Sequence, residues 1–204
     1  MGATEGFGTL ILAPHLAQLT RKHPHLSIDL LALPRMLHLS RREADIVISL
    51  ERPTRGSVIV SRLSDYSLYL YGQREYLARK PLVATREDLR HHAFVSYVDD
   101  LLFTKELQFL DQIYPPERFA MRSTSVTAQY EAVRAGAGLA VLPAFLADAD
   151  PVLARVLPQE ARFTRTFWMS MPAEAKPLAR MQAVWSFLKE VGQGESGRLR
   201  PDRR

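Results

Sequence analysis

Two hydrophobic periods alternate along this chain, and their order constrains its fold more than any single residue does. Leu26-Ser27-Ile28-Asp29-Leu30 repeats every second residue, as a half-buried strand does, and Asp45-Ile46-Val47-Ile48-Ser49-Leu50 is a short apolar run like a strand buried on both faces. The intervening residues 34–43 are long enough for a short crossover helix. Ahead of both, Leu12, Leu16 and Leu19 recur at helical spacing until His23-Pro24, because a residue before proline avoids the helical region. Pro14 sits early in that segment, where its missing amide proton costs little if the helix starts near Thr9 or Leu10. Strand, helix, strand, helix, strand predicts a parallel, doubly wound sheet.

The middle of the chain repeats this logic as a separate unit. Tyr66, Leu68 and Leu70 alternate with Ser67, Tyr69 and Tyr71 in a strand that ends at Gly72, and a helix follows over 75–79. Thr85-Arg86-Glu87-Asp88 is a near capping box with Asp in place of the usual Glu or Gln. Residues 93–97 read as a strand, 101–113 as a helix closed by Pro115-Pro116, and 119–124 as another strand. Ser125 is a natural N-cap for a helix whose Val126, Tyr130 and Val133 share a face and which stops at Gly136. Leu139-Ala140-Val141-Leu142-Pro143 is one more buried strand. Residues 163–171 have strand composition, and Met181, Val184, Trp185, Leu188 and Val191 mark one face of a terminal helix. Two α/β units joined by two strand-like passages imply a hinge of two crossing segments, with the carboxyl-end loops facing a gap between lobes. The expected division is lobe I over 1–69 and 168–192, lobe II over 70–167, and a disordered basic tail over 193–204.

Composition excludes several classes of function. The chain has no cysteine, which removes disulfides, a thiolate nucleophile and cysteine-based zinc sites and leans towards a reducing compartment. Its apolar stretches are broken well short of the roughly 20 residues that cross a bilayer. Residues 1–6 show no basic segment followed by an apolar core, so no export signal is expected. The last seven residues carry four arginines against one aspartate, three of the net +5, which leaves two for the rest. With no basic stripe and no aromatic-basic interleaving, direct DNA binding by this chain is not expected. No Gly-x-Ser-x-Gly, His-Glu-x-x-His or phosphate-binding glycine loop is present. The pairs His23/His25 and His91/His92 lack further ligands nearby, so no metal site is expected. Asp99 and Asp100 are adjacent in the chain and point apart.

Several fragments, taken in order, resemble the effector-binding domain of LysR-type transcriptional regulators. They are Leu12-Ala13-Pro14 with Leu16 and Leu19, His23-Pro24-His25-Leu26, Arg42-Glu43-Ala44-Asp45-Ile46-Val47-Ile48, Tyr76-Leu77-Ala78-Arg79, Asp88-Leu89, and Ala135-Gly136-Ala137-Gly138-Leu139-Ala140-Val141-Leu142-Pro143. The resemblance covers nearly all of residues 3–191. It implies an α/β fold of two Rossmann-like lobes joined by two crossing strands, similar to type II periplasmic binding proteins. It also implies a cytoplasmic, non-catalytic module without cofactor that binds a small-molecule effector in the cleft between lobes and assembles as a homodimer or homotetramer. DNA would be reached only through a winged helix-turn-helix preceding residue 1. An extracytoplasmic solute-binding protein of the same fold is the alternative; an enzyme of similar fold is disfavoured, since porphobilinogen deaminase needs a cysteine.

Ligand contacts in such a layout come from strand ends and helix N-termini, where amide protons and hydroxyls point into the gap. In the first lobe that selects Thr4, Glu5, Gly6, Phe7, Leu33, Pro34, Arg35 and Ser49; in the second, Ser96, Tyr97, Thr124, Ser125 and Thr127. Ser125 and Thr4 also suit plain helix caps, Phe7 and Tyr97 suit packing, and Arg35 suits either a carboxylate clamp or a solvated surface. Many members of the resembling family carry an arginine at or beside the position of Ser49 and sense small carboxylates, often aromatic ones. Ser49 there, with Glu5 opposing an anion, leaves a neutral, polyhydroxylated or cationic ligand as the alternative.

Overall fold

The computed structural model describes residues 1–34 and 43–201; residues 35–42, which make up most of the expected crossover helix over 34–43 and include the candidate Arg35, fall outside the described residues. The chain forms two compact units, Met1–Asp65 with Thr166–Arg204, and Tyr66–Arg165.

In the first unit β1 (Gly2–Thr4) is flanked by β2 (Leu31–Leu33) and β3 (Val47–Ser49), both parallel to it. The later part of β9 (Arg162–Pro172) lies antiparallel on β3. The alternation at 26–30 appears in burial, with Leu26, Ile28 and Leu30 half-buried, but the assigned strand begins only at Leu31. The Met1 backbone explains this onset: its amino group donates to the Asp29 carbonyl, and its carbonyl accepts from the Leu31 amide. The first helix starts earlier than Thr9, as α1 (Glu5–Phe7), a π-helical segment Gly8–Leu12 and α2 (Ala13–Lys22). Pro14 therefore follows helix on its N-terminal side, and the wide turn before it accommodates the bond that proline cannot donate. Ile11, Leu12, Leu16 and Leu19 are buried. Gly8 permits a close approach to the sheet, since a Cβ there would sit 2.7 Å from Ala32 Cβ. The terminal helix α6 (Ala179–Gly194) buries Met181, Val184, Leu188 and Val191 and half-buries Trp185. The segment expected to be a disordered tail holds the end of α6 and the short helix at Ser196–Leu199, with Leu199 fully buried.

In the second unit β4 (Val58–Gln73), which enters it at Tyr66, pairs antiparallel with β7 (Leu139–Pro143), which the short helix α5 (Ala144–Ala147) follows, and with β8 (Leu153–Val156). β5 (Phe94–Ser96) pairs parallel with β7 and with β6 (Phe119–Arg122). Each unit thus holds a parallel trio with a long antiparallel strand beside it, so the sheet is mixed rather than all parallel. A strand that arrives by a long connection, and not by a crossover helix, is not bound to the parallel sense.

The local signals of this unit fare unevenly. α3 (Arg74–Ala78) and the 3-10 helix Arg86–His91 form where expected, and Asp88 Oδ2 completes the capping box by accepting from the Thr85 amide at 2.8 Å. The helix expected over 101–113 is instead three separate 3-10 turns, Asp99–Leu101, Lys105–Leu107 and Leu110–Gln112. Thr104 is buried and its hydroxyl accepts from the Glu106 amide at 3.1 Å, offering the backbone an alternative to the α-helical ladder. α4 (Val126–Arg134) ends in a Schellman motif: Gly136 adopts φ +80°, its amide reaches Val133 O, and Ala137 N reaches Ala132 O.

Gly138 tests how tightly this corner is drawn. A Cβ there would lie 2.3 Å from the Ala93 carbonyl oxygen, which is held in place by accepting the Leu139 amide at 2.9 Å. Gly138→Ala is expected to destabilise the protein by roughly 1–3 kcal/mol in urea unfolding; a loss under about 0.5 kcal/mol would show that the corner relaxes freely.

Candidate functional site

Parallel pairing sets the level of the strand ends in the first unit. Thr4 is opposite Leu33, and Gly2 is opposite Val47, so the same register two residues on brings Ser49 level with Thr4. Ser49 in turn faces Trp168 on β9. Leu33, Thr4, Ser49 and Trp168 therefore form one row across four neighbouring strands in the order β2-β1-β3-β9, and residues directly opposite one another share a face.

The hydroxyls and charges of this row are placed by local bonding. Thr4 occupies the N-cap of α1 in an extended conformation but makes no side-chain cap bond. Glu5 follows, half-buried in the first turn, where a carboxylate complements the positive end of the helix. Ser49 Oγ donates to the Glu51 carbonyl at 2.7 Å. Gly6 is buried and Pro34 half-buried directly after β2. Phe7 is 1% exposed and its ring lies tilted against that of Phe167 with centroids 4.2 Å apart, so it packs the helix onto the sheet. Trp168 and Arg52 are absent from the sequence-based selection. The signal for Trp168 was the alternation of β9, which sends Phe167 into the core and its neighbour to the other face. Arg52 places its guanidinium over the Trp168 ring, 5.5 Å from the centroid.

In the second unit the ends of β5 and β6 meet the start of α4. Ser96 is opposite Arg122, and the Ser96 carbonyl accepts from the Ser123 amide at 2.9 Å. Ser123 Oγ accepts from the Ser125 amide at 3.1 Å, and the buried Gln129 side chain donates to Ser123 O at 2.9 Å. Ser125 Oγ accepts from the Ala128 amide at 3.0 Å, so its cap role is real. Thr124 precedes this cap, and Thr127 lies half-buried in the first turn of α4. Tyr97 is half-buried beyond Ser96, close enough to Tyr66 to act on its titration. Burial first, then Tyr97 and Glu106, push the Tyr66 phenol above its ordinary value against the pull of Arg165, which keeps it a neutral hydrogen-bond donor. Arg165 Nε lies 2.6 Å from Glu106 Oε2, and its guanidinium sits over the rings of Phe109 and Phe163. Tyr66, Glu106 and Arg165 were likewise not selected from sequence; their separation in the chain hides their proximity.

Each unit thus gathers hydroxyls, backbone amides and aromatic faces at its strand ends. That chemistry suits reversible hydrogen bonding to a small polar molecule. Among the described residues no group of three or more His, Asp or Glu side chains is arranged to hold a metal ion.

Residues 1–193 match the family model described as the LysR substrate binding domain. The chain belongs to that family. Among curated proteins it is 33% identical over 135 residues to the Mau operon transcriptional activator of Paracoccus denitrificans, an alignment covering 66% of this chain and 44% of that protein. It is 25% identical over 145 residues to an uncharacterized HTH-type transcriptional regulator of Haemophilus influenzae, covering 69% of this chain and 49% of that one. The chain therefore spans about half the length of these relatives. Among solved structures it is similar to the regulatory domain of CrgA, a LysR-type regulator from Neisseria meningitidis (TM-score 0.81, 19% identity, covering 93% of this chain and 95% of that one). The effector domain of AmpR from Pseudomonas aeruginosa is also similar (TM-score 0.75, 20% identity, covering 96% and 95%). At these identities the structural likeness establishes the fold, that of the type II periplasmic binding proteins. Among the described residues no helix of this LysR substrate-binding domain is long and apolar enough to cross a membrane.

The Ser125 cap yields a stability prediction. Ser125→Ala should cost about 1 kcal/mol in chemical unfolding, while Ser125→Asp should restore most of it. Equal stability of parent and alanine variant would show that the Ala128 amide finds another acceptor.

Proposed function

We propose that this LysR substrate-binding domain is the effector-sensing and oligomerisation module of a cytoplasmic transcriptional regulator. Its ligand is a small molecule, and the candidate contacts in each unit are its strand-end residues. In the first these are Thr4, Glu5, Gly6, Leu33, Pro34, Arg35 and Ser49, with Trp168 and Arg52 beside them. In the second they are Ser96, Tyr97, Thr124, Ser125 and Thr127. The family match over residues 1–193 carries this reading; the Leu33-Thr4-Ser49-Trp168 row supports the choice of residues. Ligand binding acts by population shift: it favours one state of a homodimer or homotetramer, and a winged helix-turn-helix outside this sequence reads DNA. The module does no chemistry of its own, since its function needs only differential affinity for two states.

The ligand class follows from the charges in the row. Ser49 supplies a hydroxyl where a carboxylate-sensing relative would carry arginine, and Glu5 adds a negative charge. Neutral polyhydroxylated or cationic compounds therefore head the candidates, with Arg52 as the group through which a carboxylate would still be accommodated. The solute-carrier alternative shares the fold, but the relatives named above as regulators favour the sensor.

A thermal-unfolding screen tests the reading with three panels: polyols and sugars, small amines, and aromatic carboxylates. A compound present at 100 times its dissociation constant adds about 2.7 kcal/mol of stability. The expected result is a hit whose effect shrinks in Trp168→Ala and in Thr4→Ala. A hit that stabilises both variants as strongly as the parent would remove the row from the site.

A further inference from the structure

Asp65 is the last residue of the first unit before the chain enters the second, and Thr166 is the first residue after it returns. Their side chains meet: Thr166 Oγ1 donates to Asp65 Oδ1 at 2.7 Å. Arg62, on the same strand as Asp65, donates to both carboxylate oxygens. A second guanidinium arrives from far along the chain, with Arg200 Nη1 donating to Asp65 Oδ2 at 2.9 Å. Burial works against ionising Asp65, but the Thr166 hydroxyl and the Arg62 and Arg200 guanidiniums outweigh it and hold the carboxyl below its ordinary value.

The segment that delivers Arg200 is itself seated. Glu195, which closes α6, meets His15 Nε2 of α2 at 2.9 Å. Leu199 is fully buried, and Arg200 follows it directly. The parent helix lies close to β4, where a Cβ on Gly192 would fall 2.8 Å from the Leu63 carbonyl oxygen. Segment 195–200 is thus fixed at one end to α2 and at the other to the residues where the chain leaves and re-enters the unit. An exposed pair would add little. Here the side chains of Arg200 and Asp65 are only 19% and 12% exposed, and a shielded, charge-assisted network is the setting in which such bonds are strong.

We propose that segment 195–200 is a latch: through Arg200 it ties β4 to β9 at Asp65 and Thr166, and its release loosens both strands there. Without Arg200, Asp65 keeps Thr166 and Arg62, and the Arg62 side chain is 55% exposed and competes with water. β4 and β9 are also hydrogen-bonded neighbours in the sheet, so the second guanidinium reinforces at Asp65 a join that the backbone ladder makes along the strands. If the domain senses an effector as proposed above, the latch sets the resistance that binding must overcome at the crossing; the latch itself does not depend on that reading.

Hydrogen–deuterium exchange on the whole chain tests it, comparing the parent with Arg200→Ala, Asp65→Asn and a chain ending at Gly194. Amides of residues 62–66 and 164–168 are expected to exchange on the order of tenfold faster in all three variants, while those of 126–134 and 139–143 keep the parent rate. Arg200→Lys, which keeps the charge, should recover part of the protection. Unchanged exchange at the crossing in Arg200→Ala would overturn the latch. So would an equal acceleration at every segment, because that pattern means a general loss of stability.

Discussion

The parallel pairing of β1 with β2 and β3 is the constraint on which the candidate site of the first unit depends. Side chains alternate across a strand, so a slip of one residue would turn Thr4 and Ser49 to the opposite face and bring their buried neighbours out. The register is held from several directions. The Met1 amino group bonds the Asp29 carbonyl, the Gly2 amide bonds the Ile46 carbonyl, and Gly8 lets the first helix settle against Ala32. Ala3 and Ile48, one position back from the row, are buried at 3% and 2% exposure, so the core itself rejects a slip.

The second unit reaches the same kind of strand-end cluster by different local means. Its centre is β7, buried along its whole length, and its edges are fastened by paired charges. Asp148 takes the Tyr71 hydroxyl at 2.7 Å and a bidentate Arg155, while Asp150 takes the Tyr130 hydroxyl at 2.7 Å with Arg134 Nε also at 2.7 Å. Burial, and then the neighbouring Asp150, push the Tyr130 phenol up to about 12, so it remains a donor throughout the physiological range. The same Arg–Asp arrangement, with a threonine in place of tyrosine, sits at Asp65. At Asp150 and Asp65 burial works against ionisation, but the hydroxyl and the guanidinium outweigh it and hold the carboxyl below its ordinary value, which is how a partly buried charge is tolerated.

Local chemistry was legible in the sequence wherever a short signal acts through its own backbone. The Thr85–Asp88 box, the Ser125 cap and the Gly136 stop all form, because each is completed within about one helical turn. The apolar face of α6 was equally plain from spacing alone. What sequence spacing could not reveal were contacts made across long separations. Leu107, Phe109, Leu110 and Ile113 are all buried, yet they are carried by turns, since Thr104 bonds its own backbone and the apolar spacing does not distinguish the two. The tail was read as disordered from its charge, but Arg200 finds Asp65 and Leu199 finds the core. At the site, the hydroxyl residues were selected by their place at strand ends. Trp168, Arg52, Tyr66, Glu106 and Arg165 were missed because only strand pairing and packing bring them there.

The central claim is that ligand recognition is concentrated at the carboxyl ends of the strands. Amide chemical-shift mapping with the best stabilising compound tests it directly. The account predicts saturable shifts at residues 4–7, 33–34, 49 and 168 in the first unit and at 96–97 and 124–127 in the second. Shifts confined to other surfaces, such as the exposed edge strand β6 or the face of α6, with those residues unmoved, would contradict it.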